Sequence, residues 1–378
     1  MIGPLRAAAL AGKSPYGYQM NPNEQALQYP LGPTLPAPAQ PVPVAAGVLW
    51  VRMPLPFQLD HVHLYLLRDH HAGRDGWTLV DCGIGSQPTR ELWEQIFADQ
   101  LDGLPIVRVV CTHMHPDHVG LAEWISTRFG VKVWMTVAEY ALARVYSATL
   151  RGADGTAAAD HFRRHGITDP AQLEAVRVRG ARHFASLVPS TPTSFRRIRD
   201  GEEFAIGERS WRVIVGIGHS PEHASLYSAE GSDGPLLLSG DMVLPRISTN
   251  VSVFEAEPES NPVSWYLDSL RRFEPCDQDT LVLPSHGRPF RGLHERLRQL
   301  HEHHQERLEE VRQACAQAPR SAADIVPIMF KREFDTHQLS FAMGEALAHL
   351  HALWYGGELR RDTDADGVIR FTPGVDAG

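Results

Sequence analysis

The chain has only four cysteines in 378 residues, Cys82, Cys111, Cys276 and Cys315, and no two stand in CxxC spacing. That scarcity removes a disulfide framework and a thiolate zinc site from consideration, and it fits a reducing compartment, the cytoplasm. Long apolar runs are also missing. No stretch approaches the roughly 18 residues a membrane span needs, and "LRAAALAG" is too short and interrupted for a secretory core, so no membrane role is expected. Positive charge is not in excess either: 36 Lys and Arg stand against 45 Asp and Glu, for a formal charge of -9. This balance argues against a protein that grips nucleic acid by its phosphates and leaves a small molecule as the expected partner.

What is present divides into three parts. Residues 1–47 lack periodicity and include the proline-rich "YPLGPTLPAPAQPVPV", which predicts an extended segment. Met20 opens "MNPNEQALQYPLG", which reads as a native start, so the first nineteen residues are expected to be an upstream extension or a start-site artefact. Over residues 48–290 short Val-, Ile- and Leu-rich runs alternate with helical stretches, an α/β pattern. "WTLVD", "PIVRVVCT", "KVWMT", "SWRVIVGIG", "GPLLLSG" and "DTLVLPS" are the expected buried strands. Thr136 and Glu139 have capping-box spacing ahead of "YALARVYSATL", and Gly130 closes "LAEWISTRFG". Residues 291–378 turn helical, with "LHERLRQLHEHHQERLEEVRQACAQ" as one long amphipathic helix. Two shorter segments and a hairpin, "ELRRDTDADGVIRFTP", complete a small winged-helix-like unit. From Arg320 onward six Lys or Arg face nine Asp or Glu, which favours packing or homodimer contact over DNA binding.

A lone histidine is more often a core or surface residue than a ligand, and this chain has 20; spacing therefore decides. In "THMHPDHVG" a strand feeds a tight loop, so His113 and His115 point to one side while Asp117 and His118 converge from the turn. Three later candidates follow apolar runs: His219 in "VIVGIGHSPEH", Asp241 in "LLLSGD" and His286 in "LVLPSH". Strand ends on one sheet edge are where loops bring distant residues together. Nitrogen and oxygen donors without thiolate suit zinc, and also iron or manganese. One aspartate bridging two divalent ions would hold them roughly 3.5–4 Å apart, sharing a water whose pKa falls toward about 7. The shared hydroxide is the expected nucleophile.

HxHxDH, a GHSPEH similar to GHTPGH, then SGD and a late histidine, with "LVDCGIG" ahead of them, resemble the metallo-β-lactamase superfamily of hydrolases. The resemblance spans residues 48–290 and implies an αββα sandwich with a dinuclear site along one edge. It implies that one metal takes His113, His115 and His219, the other Asp117, His118 and His286, with Asp241 bridging. Asp117 would also act catalytically, orienting the hydroxide or passing a proton. Asp81 matches the motif aspartate that steadies the ligands without binding metal. The C-terminal unit, through "FAMGEALAHLHAL", resembles that of the lactamase-beta-2-like branch. Glu222 replaces the glycine of GHTPGH, so access beside His219 is expected to differ from that of glyoxalase II enzymes.

Other residues receive plainer readings. His223 is expected to donate a hydrogen bond rather than to ligate, and His61 and His63 to be partly buried strand histidines. His301, His303 and His304 sit among Glu and Arg and predict a solvated helix face. Cys111 is expected in the core, and Cys82 near the site as an oxidation-sensitive thiol. Residues 150–200 carry an excess of arginine, read either as a lid that holds anionic substrate groups or as ordinary surface charge.

Hydrolysis of an acyl thioester of coenzyme A or glutathione type leads the functional readings. A phosphodiesterase or ribonuclease, or a lactonase, follows. An antibiotic-resistance β-lactamase is disfavoured because Asp241 stands where such enzymes commonly present cysteine. An oxygen- or nitric-oxide-reducing diiron protein usually has glutamate at the position of His115. A metal-binding protein without turnover would normally have lost a ligand, and all seven are present.

Overall fold

In the computed structural model, which describes residues 21–148, 154–180, 183–332 and 334–374, the branched apolar runs form the strands of two facing sheets. The start-site expectation at Met20 lies outside the described residues, as do positions 149–153 and 181–182 of the arginine-bearing stretch. The first sheet orders β1 (Val42–Ala45), β2 (Val48–Pro54), β3 (His61–His71), β4 (Arg74–Val80), β5 (Ile106–Val110), β6 (Val133–Met135) and β7 (Phe195–Arg197). Neighbours from β1 to β4 are antiparallel, and those from β4 to β7 are parallel. β1 thus comes from the end of the proline-rich segment and supplies the sheet's edge, while helix Pro22–Gln25 lies ahead of that segment.

The second sheet contains β8 (Glu203–Ile206), β9 (Arg209–Gly216), β10 (His223–Ser228), β11 (Leu236–Gly240) and β12 (Leu281–Pro284). β11 and β12 pair in parallel, and the remaining neighbours are antiparallel. Trp50, Tyr65, Val80 and Val110 from the first sheet meet Trp211, Leu226, Leu238 and Leu283 from the second in a buried layer. Helices Gln87–Asp99 and Ala122–Phe129 cover the first sheet through Trp93, Ile96 and Ile125. On the outer face of the second sheet lie helix Pro262–Leu270 and the C-terminal helices. The result is the αββα sandwich.

The C-terminal helices are Leu293–Gln317, Ala322–Met329 and Thr336–Tyr355, followed by the hairpin β13 (Leu359–Thr363) and β14 (Ile369–Pro373). They share one hydrophobic cluster with the second sheet, including Tyr266, Leu300, Val311 and Leu347. Here the solvated-face expectation fails for His304, which is fully buried and lies 3.1 Å from His349 (Nδ1 to Nε2). It falls on the stripe of Leu297, Leu300, Leu308 and Val311, whose spacing faces the core. His301 and His303 are half-buried beside that stripe.

Candidate metal centre

Strand ends deliver four side chains of the centre, and helix Pro116–Val119 with its N-cap His115 delivers the other three. β5 runs into Thr112 and His113; β9, β11 and β12 lead to His219, Asp241 and His286. Two donor groups result: His113, His115, His219 and Asp241, and Asp117, His118 and His286. Within each group the donor atoms lie within 4.8 Å of one another. Asp241 faces both. Its Oδ2 is 3.3 Å from His219 Nε2 and 3.6 Å from His118 Nε2, and its Oδ1 is 3.5 Å from His286 Nε2. Asp117 Oδ2 lies 3.4 Å from His286 Nε2 and 3.6 Å from His118 Nε2.

These separations suit a shared ion. Ligands about 2.1 Å from a tetrahedral ion stand about 3.4 Å apart. Moreover, His118 Nε2 and Asp241 Oδ1 are buried without a hydrogen-bond partner among the described residues, an arrangement that costs free energy unless something else fills the gap. The donor set therefore fits one or more divalent cations.

Partners behind the rings fix which nitrogen faces inward. His118 Nδ1 donates to Asp81 Oδ2 at 2.8 Å, His219 Nδ1 to the Asn250 carbonyl at 2.8 Å, and His286 Nδ1 to the His61 carbonyl at 2.9 Å. His113 Nδ1 meets the Thr112 hydroxyl at 2.9 Å. In each case Nε2 keeps its lone pair for the centre, while His115 turns Nδ1 inward. Asp81 also accepts the Thr112 N–H at 2.7 Å and its hydroxyl at 2.8 Å, and it does so at φ +62°, a left-handed conformation that aspartate tolerates. His223 is fully buried, and its Nε2 accepts the Asp241 N–H at 3.0 Å. Asp81 thus stands behind Thr112 and His118, and His223 stands behind Asp241, where it accepts a hydrogen bond instead of donating one.

Electrostatics follow from this crowding. Burial, with His118 and His115 adding to it, holds His113 far below the usual imidazole range, and burial beside His219 brings His115 to about 3. Burial opposes ionisation of Asp117, but His118 and His286 outweigh it and its pKa falls to about 2. Burial also disfavours protonated His118, yet Asp117, Asp81 and Asp241 raise its pKa well above the normal value. The site thus pairs ionised carboxylates with His118 and His286, both of which, despite burial, those carboxylates draw toward the protonated form, as they would draw a metal cation.

A sandwich edge that converges five imidazoles and two carboxylates, with no thiolate, defines a metal-dependent hydrolase. The chain belongs to the metallo-beta-lactamase superfamily, which matches residues 58–286; residues 308–374 match the metallo-beta-lactamase-like C-terminal domain. A beta-lactamase domain protein from Burkholderia ambifaria is 55% identical, with TM-score 0.88, covering 94% of this chain and 100% of that one. A metallo-beta-lactamase family protein from Thermus thermophilus is 27% identical with TM-score 0.71, covering 88% of this chain and 100% of that one. Among curated proteins, the probable metallo-hydrolase YqjP of Bacillus subtilis (strain 168) is 27% identical over 320 residues, 81% of this chain and 92% of that protein.

Some local expectations are corrected. Thr136 is the N-cap of helix Val137–Ser147, but its side chain makes no cap bond and there is no capping box with Glu139. Its hydroxyl donates instead to the Glu222 carbonyl at 2.8 Å. Glu139 is fully buried and accepts the Met114 N–H at 2.8 Å and the Ser220 hydroxyl and Glu222 N–H at 2.7 Å each. It ties the His113–His118 loop to the loop that begins at His219. The pattern T-x-x-E is the one sequence signal for it, and that signal points to a local cap instead. His63 is fully buried, while His61 serves through its backbone. Cys82 and Cys111 are both fully buried.

Proposed function

We propose that this metallo-hydrolase is a dinuclear enzyme acting on an acyl thioester, with the ligand assignment His113, His115 and His219 on one ion, Asp117, His118 and His286 on the other, and Asp241 shared. The observation that carries the dinuclear reading is Asp241, whose two oxygens lie 3.3 Å and 3.5 Å from histidines of opposite groups. Two zinc ions there would polarise the scissile carbonyl and bring the pKa of a shared water toward about 7. The protein's own residues do the rest. Asp81, Asn250, His61 and Thr112 hold the imidazoles in one tautomer, so no reorganisation is needed as charge develops. Asp117 remains ionised and is 19% exposed against 9% for Asp241, so it can accept a hydrogen bond from an incoming water at Oδ2 and orient it.

The thioester assignment is supported by the insertion beside the site. Helix His183–Leu187 packs on helix Pro116–Val119, and Gly85 N–H donates to the Leu187 carbonyl at 2.7 Å. Helix Thr156–Arg164 of this insertion carries Arg163, and helix Pro170–Gly180 carries Arg177. These pair with Asp160 and Glu174, so an anionic substrate would engage them by exchanging partners. Four buried free cysteines, and no helix among the described residues long and apolar enough to cross a membrane, support a cytoplasmic location. The test is free-thiol release from matched acyl-coenzyme A and acyl-glutathione, with Asp117→Asn as control. Release by wild type alone supports the thioester reading. No release from metal-loaded protein contradicts it and favours phosphodiesters or lactones. Light scattering tests the accompanying proposal of a homodimer.

A further inference from the structure

The loop after Asp241 reaches both the metal centre and the C-terminal helix. Thr249 donates its hydroxyl to the Asp241 carbonyl, and the Asn250 carbonyl accepts from His219 Nδ1 at 2.8 Å. The Asn250 side chain is held from the other direction. Its Oδ1 accepts from Ser252 Oγ at 2.8 Å, and its Nδ2 donates to Glu345 Oε2 at 3.4 Å. Glu345 belongs to helix Thr336–Tyr355 and is 9% exposed.

The neighbouring residue fixes the same loop by contact. Val253 N–H donates to the Gly344 carbonyl at 3.1 Å. A Cβ added at Gly344 would lie 2.7 Å from Ser252 Cβ and 2.8 Å from its Oγ, closer than real side chains approach. Glycine at 344 thus permits the helix to lie directly on residues 250–253. A buried carboxyl group is an expensive choice for core packing unless it holds something. What this one holds is the residue whose carbonyl orients His219.

We propose that the C-terminal helix is part of the metal centre: Gly344 and Glu345 are positioning residues that set the orientation of His219 through Asn250. The proposal rests on the reading of His219 as a metal ligand. Partners behind a metal-binding imidazole typically change metal affinity by about 10–100-fold. Because the Asn250 carbonyl meets the centre at His219, the effect should fall on the group that contains His219.

The test is titration of metal-free, full-length protein with Co(II), following visible d–d absorption and the affinity of each equivalent. Glu345→Leu should weaken one of two equivalents by about tenfold or more and alter its band shape. Glu345→Gln, which can still accept from Asn250, should behave as wild type. Gly344→Ala, which displaces Ser252 by contact, should weaken the same equivalent and keeps the test available if Glu345→Leu does not fold. Leu353→Ala, a buried residue of the same helix, controls for general destabilisation and should leave cobalt binding unchanged. Glu345→Leu and Gly344→Ala binding like wild type, or Leu353→Ala weakening cobalt equally, overturns the proposal. Wild type that takes up no cobalt overturns the ligand reading itself, and the proposal with it.

Discussion

Glu139 and Glu222 hold each other's loops: Glu222 Oε2 accepts the Ala138 N–H at 3.0 Å at the start of the helix bearing Glu139, and Glu139 Oε1 accepts the Glu222 N–H at 2.7 Å. The residue at 222 therefore caps a helix across the chain as well as bordering His219. Because Glu139 also holds Met114 and Ser220, Glu139→Leu would leave one buried and two part-buried donors unpaired, at up to about 1–3 kcal/mol each. The expected result is a drop of several kcal/mol by denaturant unfolding together with lost metal. Glu139→Gln should lose less. Full metal content and stability in Glu139→Leu would contradict this role.

Asp81→Asn separates orientation from folding. Asparagine also tolerates the positive φ at this position, so the backbone is expected to survive. Asp81 Oδ2 accepts from both Thr112 and His118, and an amide NH₂ placed there would oppose the His118 N–H. Metal affinity or kcat/KM should fall about 10–100-fold with an unchanged circular dichroism spectrum. Equal activity would show that this hydrogen bond does not set the His118 tautomer.

Gly240→Ala tests how closely His223 backs Asp241. Position 240 has φ +53°, and a Cβ there would lie 2.3 Å from His223 Nε2, the atom that accepts the Asp241 N–H. Metal stoichiometry should fall and thermal stability should drop by about 1 kcal/mol or more from backbone strain alone. His223→Ala leaves the same N–H unpaired without backbone strain, at about 1–3 kcal/mol, and is expected to lower stability and metal stoichiometry as well.

Acid should destabilise the fold through histidines outside the metal centre. Burial lowers His161 and His349 to about 4, against 6.5 for a free imidazole. Both are neutral in the native state, so the unfolded chain takes up their protons first. Their contribution is complete above about pH 6.5 and is lost as pH falls toward about 4, at up to about 1.4 kcal/mol per pKa unit each. Glu345 works the other way, since burial raises it to about 7 and favours the fold at low pH. Glu345→Gln should therefore steepen the loss of stability between about pH 6.5 and 4.5 in equilibrium urea unfolding. An unchanged slope would contradict the assignment.

The candidate metal-binding side chains are legible in sequence because each pairs a distinctive residue with a strand end or the turn that follows one. His113, His115, Asp117 and His118 fall in one turn, and His219, Asp241 and His286 each follow an apolar run. The residues that orient them are harder to see. Asn250 and His61 act through carbonyl oxygens that every residue possesses, so side-chain identity carries no signal. Glu139 shares its T-x-x-E pattern with a local cap, and only the tertiary fold shows that its carboxylate turns toward Met114 and Ser220. The charged neighbours of His304 suggest a solvated face, whereas helix periodicity places it on the buried one.

The most direct test of the dinuclear centre is metal content by elemental analysis after reconstitution and removal of free metal, comparing wild type with Asp241→Ala. The account predicts about two equivalents in wild type and a clear loss in the variant, because the shared carboxylate serves both groups. An unchanged metal content in Asp241→Ala, accompanied by unchanged hydrolysis, would contradict it.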